Sequence, residues 1–142
     1  MNAADIKNAA KQTLNAIKRS ILIIISILLL ISFLINAIPK DFFKTIFTGN
    51  DILDSITGAI FGSIALGNPI NSYILGGELI NQGVSLIAIT AFVLTWVTVG
   101  VVQLPAESVM LGKKFTIYRN IFAFITAIVI AILTTLTLQL FL

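Results

Sequence analysis

Apolar and polar positions fall in long blocks along this chain, and the blocks outline its elements. Over residues 3–19, Ile6, Ala9, Ala10, Leu14 and Ile17 recur three and four apart, with Lys7, Lys11 and Lys18 between them. That period marks an amphipathic helix, and the lysines suit one lying on a membrane surface. Polarity then disappears. Residues 20–38, SILIIISILLLISFLINAI, carry no charge and run into Pro39. At 1.5 Å per residue they reach roughly 28 Å, close to the hydrocarbon thickness of a bilayer. The run is longer than a signal-peptide core and leads into Ile38-Pro39-Lys40-Asp41 rather than a small-residue cleavage site, so it is expected to remain as a span.

Residues 40–51, KDFFKTIFTGND, read as a loop in which Phe42, Phe43 and Phe47 suit an interface. Gly49-Asn50-Asp51 is turn chemistry, with Asn50 or Asp51 placed to cap the next helix. Residues 52–66, ILDSITGAIFGSIAL, have a helical pattern that stops at Gly67-Asn68-Pro69. Gly67 suits a left-handed closure, Asn68 an N-cap, and Pro69 a first helical position where its missing N–H costs nothing. Two half-helices are therefore expected, 52–66 and 69–80. A full span follows at 84–104, stopped by Pro105, then a polar connection over 106–119 and a last span over 120–142. The pattern predicts an all-α integral membrane protein. It comprises an N-terminal amphipathic interfacial helix (1–19) and a membrane domain (20–142), with three transmembrane helices (20–38, 84–104, 120–142) and a broken, re-entrant hairpin (52–80).

Charge chooses between this threading and one with four transmembrane helices. If 52–66 crosses, Lys7, Lys11, Lys18 and Arg19 lie on one side, and Lys40, Lys44, Lys113, Lys114 and Arg119 on the other, nearly balanced. If 52–80 dips in and returns, Lys113, Lys114 and Arg119 join the N-terminal four, leaving only Lys40 and Lys44 opposite. The positive-inside rule prefers the second arrangement. Neither arm of 52–80 is long enough to cross comfortably, at about 22 and 18 Å.

Composition narrows the chemistry. The chain is 58% hydrophobic and 11% charged, with mean hydropathy +1.06, where a soluble domain has about 25% charged residues. It is read as a multi-pass protein of the cell (cytoplasmic) membrane, with the lipid bilayer as its first partner. There is no cysteine and no histidine, which removes thiolate ligands, disulfides and the usual proton shuttle. No nucleophile–base pair, metal-ligand cluster or phosphate loop is visible, so no enzyme, cofactor, metal or nucleic-acid role is expected.

Irregular backbone inside a bilayer must be buried in protein or line a wet cavity. The break therefore carries the candidate solute site: Gly67, Asn68, Pro69, Asn71, Ser72 and Tyr73, with Gln103 nearby as a pathway residue. Opposed half-helix ends offer free N–H and carbonyl groups to a polar solute. The alternative is a kink sealed by neighbouring helices. The small-residue rows, Gly58 and Gly62 in one segment and Ala123, Ala127 and Ala131 in the last, are read as helix-packing faces. Glu107 is read as a surface ion-pair member near Lys113 and Lys114.

GNPINSY (67–73), GVSLIAITAFVLTWVTVGVVQLPAE (83–107) and LGKKFTIYRN (111–120) together resemble the predicted permease family related to organoarsenical efflux permeases, found in bacteria and archaea. Larger relatives resemble two such units in one chain. The resemblance thus implies a half-size permease acting as a homo-oligomer, a dimer, or with a related permease half. The family's association with cysteines near the substrate route has no counterpart here, so arsenic is not carried over as the solute. The expected function is a membrane permease for a small solute with its site at the helix break. The alternative is a non-transporting membrane subunit of a larger complex.

Overall fold

The computed structural model describes residues 3–37, 39–65 and 68–141. The chain divides into two units, residues 1–38 and 39–142. The first holds a single helix, α1 (Ala3–Ala37, 35 residues). Its backbone does not break between the amphipathic stretch and the apolar run, where two elements were expected. Arg19 and Ser20 explain this, because neither is a strong breaker and no glycine or proline lies between them and Pro39.

The second unit is also helical: α2 (Lys40–Ile46), α3 (Asp51–Ile64), α4 (Pro69–Asn81), α5 (Leu86–Thr98), α6 (Leu104–Leu111) and α7 (Lys113–Phe141), with a 3₁₀ turn at Val101–Gln103. The expected loop over 40–51 is half helix, because Pro39 sets an extended φ/ψ of −59°/138° directly before α2. At the start of α3, Asn50 Oδ1 accepts the Ile52 and Leu53 N–H groups at 3.1 and 3.3 Å. Asp54, one turn in and buried, reaches back to the Thr48 and Gly49 N–H groups at 2.9 and 3.1 Å. The turn is thereby pinned by charge-assisted bonds.

The glycine row decides how α3 packs. A Cβ at Gly58 would collide with the Ala88 carbonyl, and one at Gly62 with the Phe92 carbonyl and the Thr95 hydroxyl. Only glycine lets the two backbones come this close. Gly58 faces Ala88, Gly62 faces Phe92, and Asp54 faces Ser85 (Oγ to Oδ2, 3.5 Å). Both numbers rise together, so α3 and α5 run parallel. The chain between them must return, and α4 is that return arm, packed on α5 through buried Ser72 and Gly76. α3 and α4 form a hairpin whose two ends, Asp51 and Asn81, lie at the same end of the unit.

The turn from α4 to α5 is closed by Gly83 (φ +89°). The Gly83 N–H bonds the Ile80 carbonyl at 2.9 Å and the Val84 N–H bonds the Leu79 carbonyl at 3.1 Å, the paired bonds of a glycine-terminated helix. On the other side of α5, α7 buries Ala127 and Ala131, and Ala131 meets Ala59, Ile87 and Ala91 in the core. Asn120 of α7 reaches Gly100. Later residues of α7 thus pair with earlier residues of α5, and the two run antiparallel. Ala123 is half-buried beside this seam. Buried hydroxyls bond their own helices: Ser63 to Ile60, Ser72 to Pro69, and Thr95 to Ala91, all at 2.7–2.8 Å.

Two expectations are corrected in the C-terminal half. The span 84–104 is not one helix. It breaks at Val99–Gly100, and Pro105 sits in the first turn of α6 instead of ending a helix. Proline is as much at home there as after a helix end. The polar connection expected over 106–119 is also helix, with only Gly112 (φ +86°, ψ 141°) between α6 and α7. That backbone conformation is open to glycine and essentially no other residue.

Among the described residues, three helical segments are long and apolar enough to cross a membrane: Ile6–Leu30, Leu86–Leu111 (α5 and α6 together) and Lys113–Phe141. α3 and α4, at 14 and 13 residues, fall short of the roughly 20 needed.

Candidate functional site

Two interruptions of helix come together in the second unit. At the first, Ala65 turns extended (φ −63°, ψ 140°) while its N–H still bonds the Phe61 carbonyl at 3.1 Å. The chain re-enters helix at Pro69. Asn68 Oδ1 accepts the Ile70 N–H at 3.0 Å, and the Asn68 carbonyl accepts the Asn71 N–H at 2.9 Å. At the second, Val99 (φ −113°, ψ 115°) and Gly100 (φ −116°, ψ 75°) leave helical geometry. The Gly100 carbonyl takes the Gln103 and Leu104 N–H groups, both at 2.9 Å. Its own N–H donates to Asn120 Oδ1 at 3.0 Å. Both polar groups of this unwound residue are thus paired, as a buried backbone requires.

Because α3 and α5 are parallel, both bring a carbonyl-bearing C-terminus to this level, and α4 and α6 begin there with N–H-bearing ends. Such ends carry opposite partial charges. Between them lies a cavity of about 330 Å³, within the range of small-ligand pockets. Ala65 and Pro69 line it from the first break. Trp96, Val97, Thr98, Val99 and Gly100 line it from the end of α5, and Gln103, Glu107 and Arg119 complete the wall.

The charged groups in that wall are paired. Arg119 Nη2 donates to both oxygens of Glu107, at 2.5 and 2.6 Å. Their side chains are 38% and 21% exposed, so the pair is open to the cavity and not sealed in the core. The Arg119 Nε–H is buried with no partner among the described residues. Asn120, 7% exposed, joins this pair to the break. While Oδ1 holds Gly100, its Nδ2 donates to the Thr116 carbonyl at 3.0 Å and to Glu107 Oε2 at 3.3 Å. One amide side chain therefore ties the unwound backbone, the α7 turn and the ion pair together. Trp96 packs edge-on against Phe92, ring centroids 5.3 Å apart.

The residues singled out from the sequence divide accordingly. Pro69 and Gln103 line the cavity. Asn68 is exposed and its side chain is used as a cap. Ser72 is buried against α5 and bonds the Pro69 carbonyl. Asn71 is half-buried and Tyr73 is 67% exposed, both outside the lining. Gly67 lies outside the described residues. Gly58, Gly62, Ala127 and Ala131 are at helix contacts, as described above. Glu107 pairs with Arg119, not with Lys113 or Lys114, because the one-residue joint at Gly112 folds α6 back along α7.

Trp96, Gly100 and Arg119 were not singled out, and the second break was not expected. A signal for it existed in VGVVQLP (99–105): a glycine, then a proline suited to opening a helix. Among the described residues no group of three His, Cys, Asp or Glu side chains converges. Comparison with protein-family models, curated proteins and solved structures finds no match for this chain.

Proposed function

We propose that the protein is a membrane permease whose small solute passes through the cavity between the two helix breaks. The observation that carries this reading is the juxtaposition itself. Two unwound segments, an amide and an ion pair gather around one cavity, on helices whose outer faces are apolar. Ile52, Leu53, Ile56, Ile60 and Phe61 of α3 and Ile121, Phe122, Ile125, Val129 and Ile130 of α7 are all exposed. Apolar area of this extent suits lipid, whereas polar backbone at depth is retained where something polar must be handled.

In this reading α1, α5–α6 and α7 are the spans, and the α3–α4 hairpin enters and leaves by one face. The protein lies in the cytoplasmic membrane. Lys7, Lys11, Lys18, Arg19, Lys113 and Lys114 are inside, and Lys40 and Lys44 outside. Arg119 counts with the site and not with the inner surface. An ion pair open on one side cannot face lipid cheaply, so a second copy or a related half covers it. The proposal includes kinship with the permeases that the sequence resembles.

Swelling of proteoliposomes in a series of small neutral, anionic and cationic solutes tests the reading. Gln103→Leu, and separately the paired change Glu107→Gln with Arg119→Gln, should slow the permeant solute tenfold or more, a barrier change of about 1.4 kcal/mol per decade. Unchanged swelling in folded variants would exclude this cavity as the route. Swelling no faster than in protein-free vesicles for every solute would favour the non-transporting subunit.

A further inference from the structure

We infer that the N-terminal half of α1 binds anionic lipid headgroups. Helical phase places Lys7, Lys11 and Lys18 within an arc of about 40°, with Arg19 about 80° beyond its edge, while Ile6, Ala10, Ile17 and Ile21 share the adjoining face on the other side. All eight of these side chains are exposed. None of the four basic groups has an ion pair among the described residues, where the one recorded bridge is Arg119–Glu107. The stretch 3–19 offers one acidic residue, Asp5, against these four cations. Unpaired positive charge of this density attracts a negative surface.

The continuity of α1 identifies that surface. Eighteen uncharged residues, 20–37, follow Arg19 without a break, and as a helix they measure about 27 Å, the thickness of the hydrocarbon layer. Once they are in the bilayer, Lys18 and Arg19 sit at headgroup level by construction. Lys11 and Lys7 lie about 10 and 16 Å further along the same rod, within one to two screening lengths at physiological salt. A soluble acidic partner would have no such fixed depth. Anionic phospholipid meets Lys18 and Arg19 directly at that depth, and Lys11 and Lys7 add to the attraction across the screened water above it.

The cysteine-free chain allows a direct test on the full protein in nanodiscs. A donor fluorophore on Asn15→Cys reports energy transfer to acyl-labelled phosphatidylglycerol or to acyl-labelled phosphatidylcholine at equal mole fraction. The expected result is about threefold or greater enrichment of the anionic lipid at about 0.05 M salt, falling towards unity at about 0.5 M. Replacing Lys7, Lys11, Lys18 and Arg19 by Gln should abolish the preference. Replacing the three lysines by Arg should keep it. Equal transfer from the two lipids in the unaltered protein would overturn the inference, and so would a preference that survives in the Gln variant. Donor self-quenching that follows protein density and ignores lipid charge would also overturn it, by assigning the face to a second copy. The salt titration of the unaltered protein decides the matter even where a variant fails to insert.

Discussion

Asn120 shows how much of the site depends on one side chain. Asn120→Ala leaves the Gly100 N–H without its acceptor and removes a donor from Glu107. An orphaned buried group costs about 1–3 kcal/mol, so the unfolding midpoint in detergent should fall by several degrees. Asn120→Asp should cost more than Ala. It keeps an acceptor for Gly100 but loses the bond to Thr116 and sets a carboxylate beside Glu107. Thermal unfolding of the two variants ranks them, and an Asp variant as stable as the parent would contradict the bonding described. The same residue explains why the second break was not legible in the sequence. Val99 and Gly100 unwind because an acceptor twenty positions later takes the Gly100 N–H, and no local pattern announces such a partner. Asn68 and Pro69 are the opposite case. Cap and first-turn proline are adjacent in sequence, so that break is written locally.

Among elements, close approach of α3 and α5 rests on two glycines. Gly62→Ala should disrupt the pair, since the added methyl meets the Phe92 carbonyl, which is backbone and cannot turn aside, as well as the Thr95 hydroxyl. Overpacking of this kind costs about 1–3 kcal/mol, and it should appear as a lowered midpoint and broadened size-exclusion peak. Gly77→Ala is the control. Gly77 is exposed in α4 with nothing near a new Cβ, so alanine should stabilise by up to about 1 kcal/mol through helix propensity. Equal effects at the two sites would refute the packing account. The packing face was readable as a four-residue repeat of small residues, but its partner was not. That α3 lies parallel to α5, with α4 as the return arm, follows from which backbone the glycines meet. Pro105 is ambiguous at this scale too, because proline marks a helix start as well as a stop, and only the fold, which sets it in the first turn of α6, distinguishes them.

For the whole molecule, the proposed threading puts the α2 end of the second unit outside and the α6–α7 joint inside. Single cysteines at Thr45→Cys and Lys113→Cys, treated with an impermeant reagent from outside intact cells, should differ: position 45 reacts and position 113 does not. Labelling at both would reject the three-span arrangement. The charge distribution favours it, and α3 and α4 have both outer ends, Asp51 and Asn81, at the same end of the second unit.

The joint at Gly112 restricts what the cavity wall can do. One residue between α6 and α7 leaves no spare chain, so α6 cannot slide along its neighbour. At its other end the 3₁₀ turn Val101–Gln103 joins the short helix to Gly100, and Glu107 rides near its middle. Any widening of the cavity that releases the carboxylate from Arg119 is therefore a swing and not a translation, and a longer linker at 112 would uncouple the crank from its bearing.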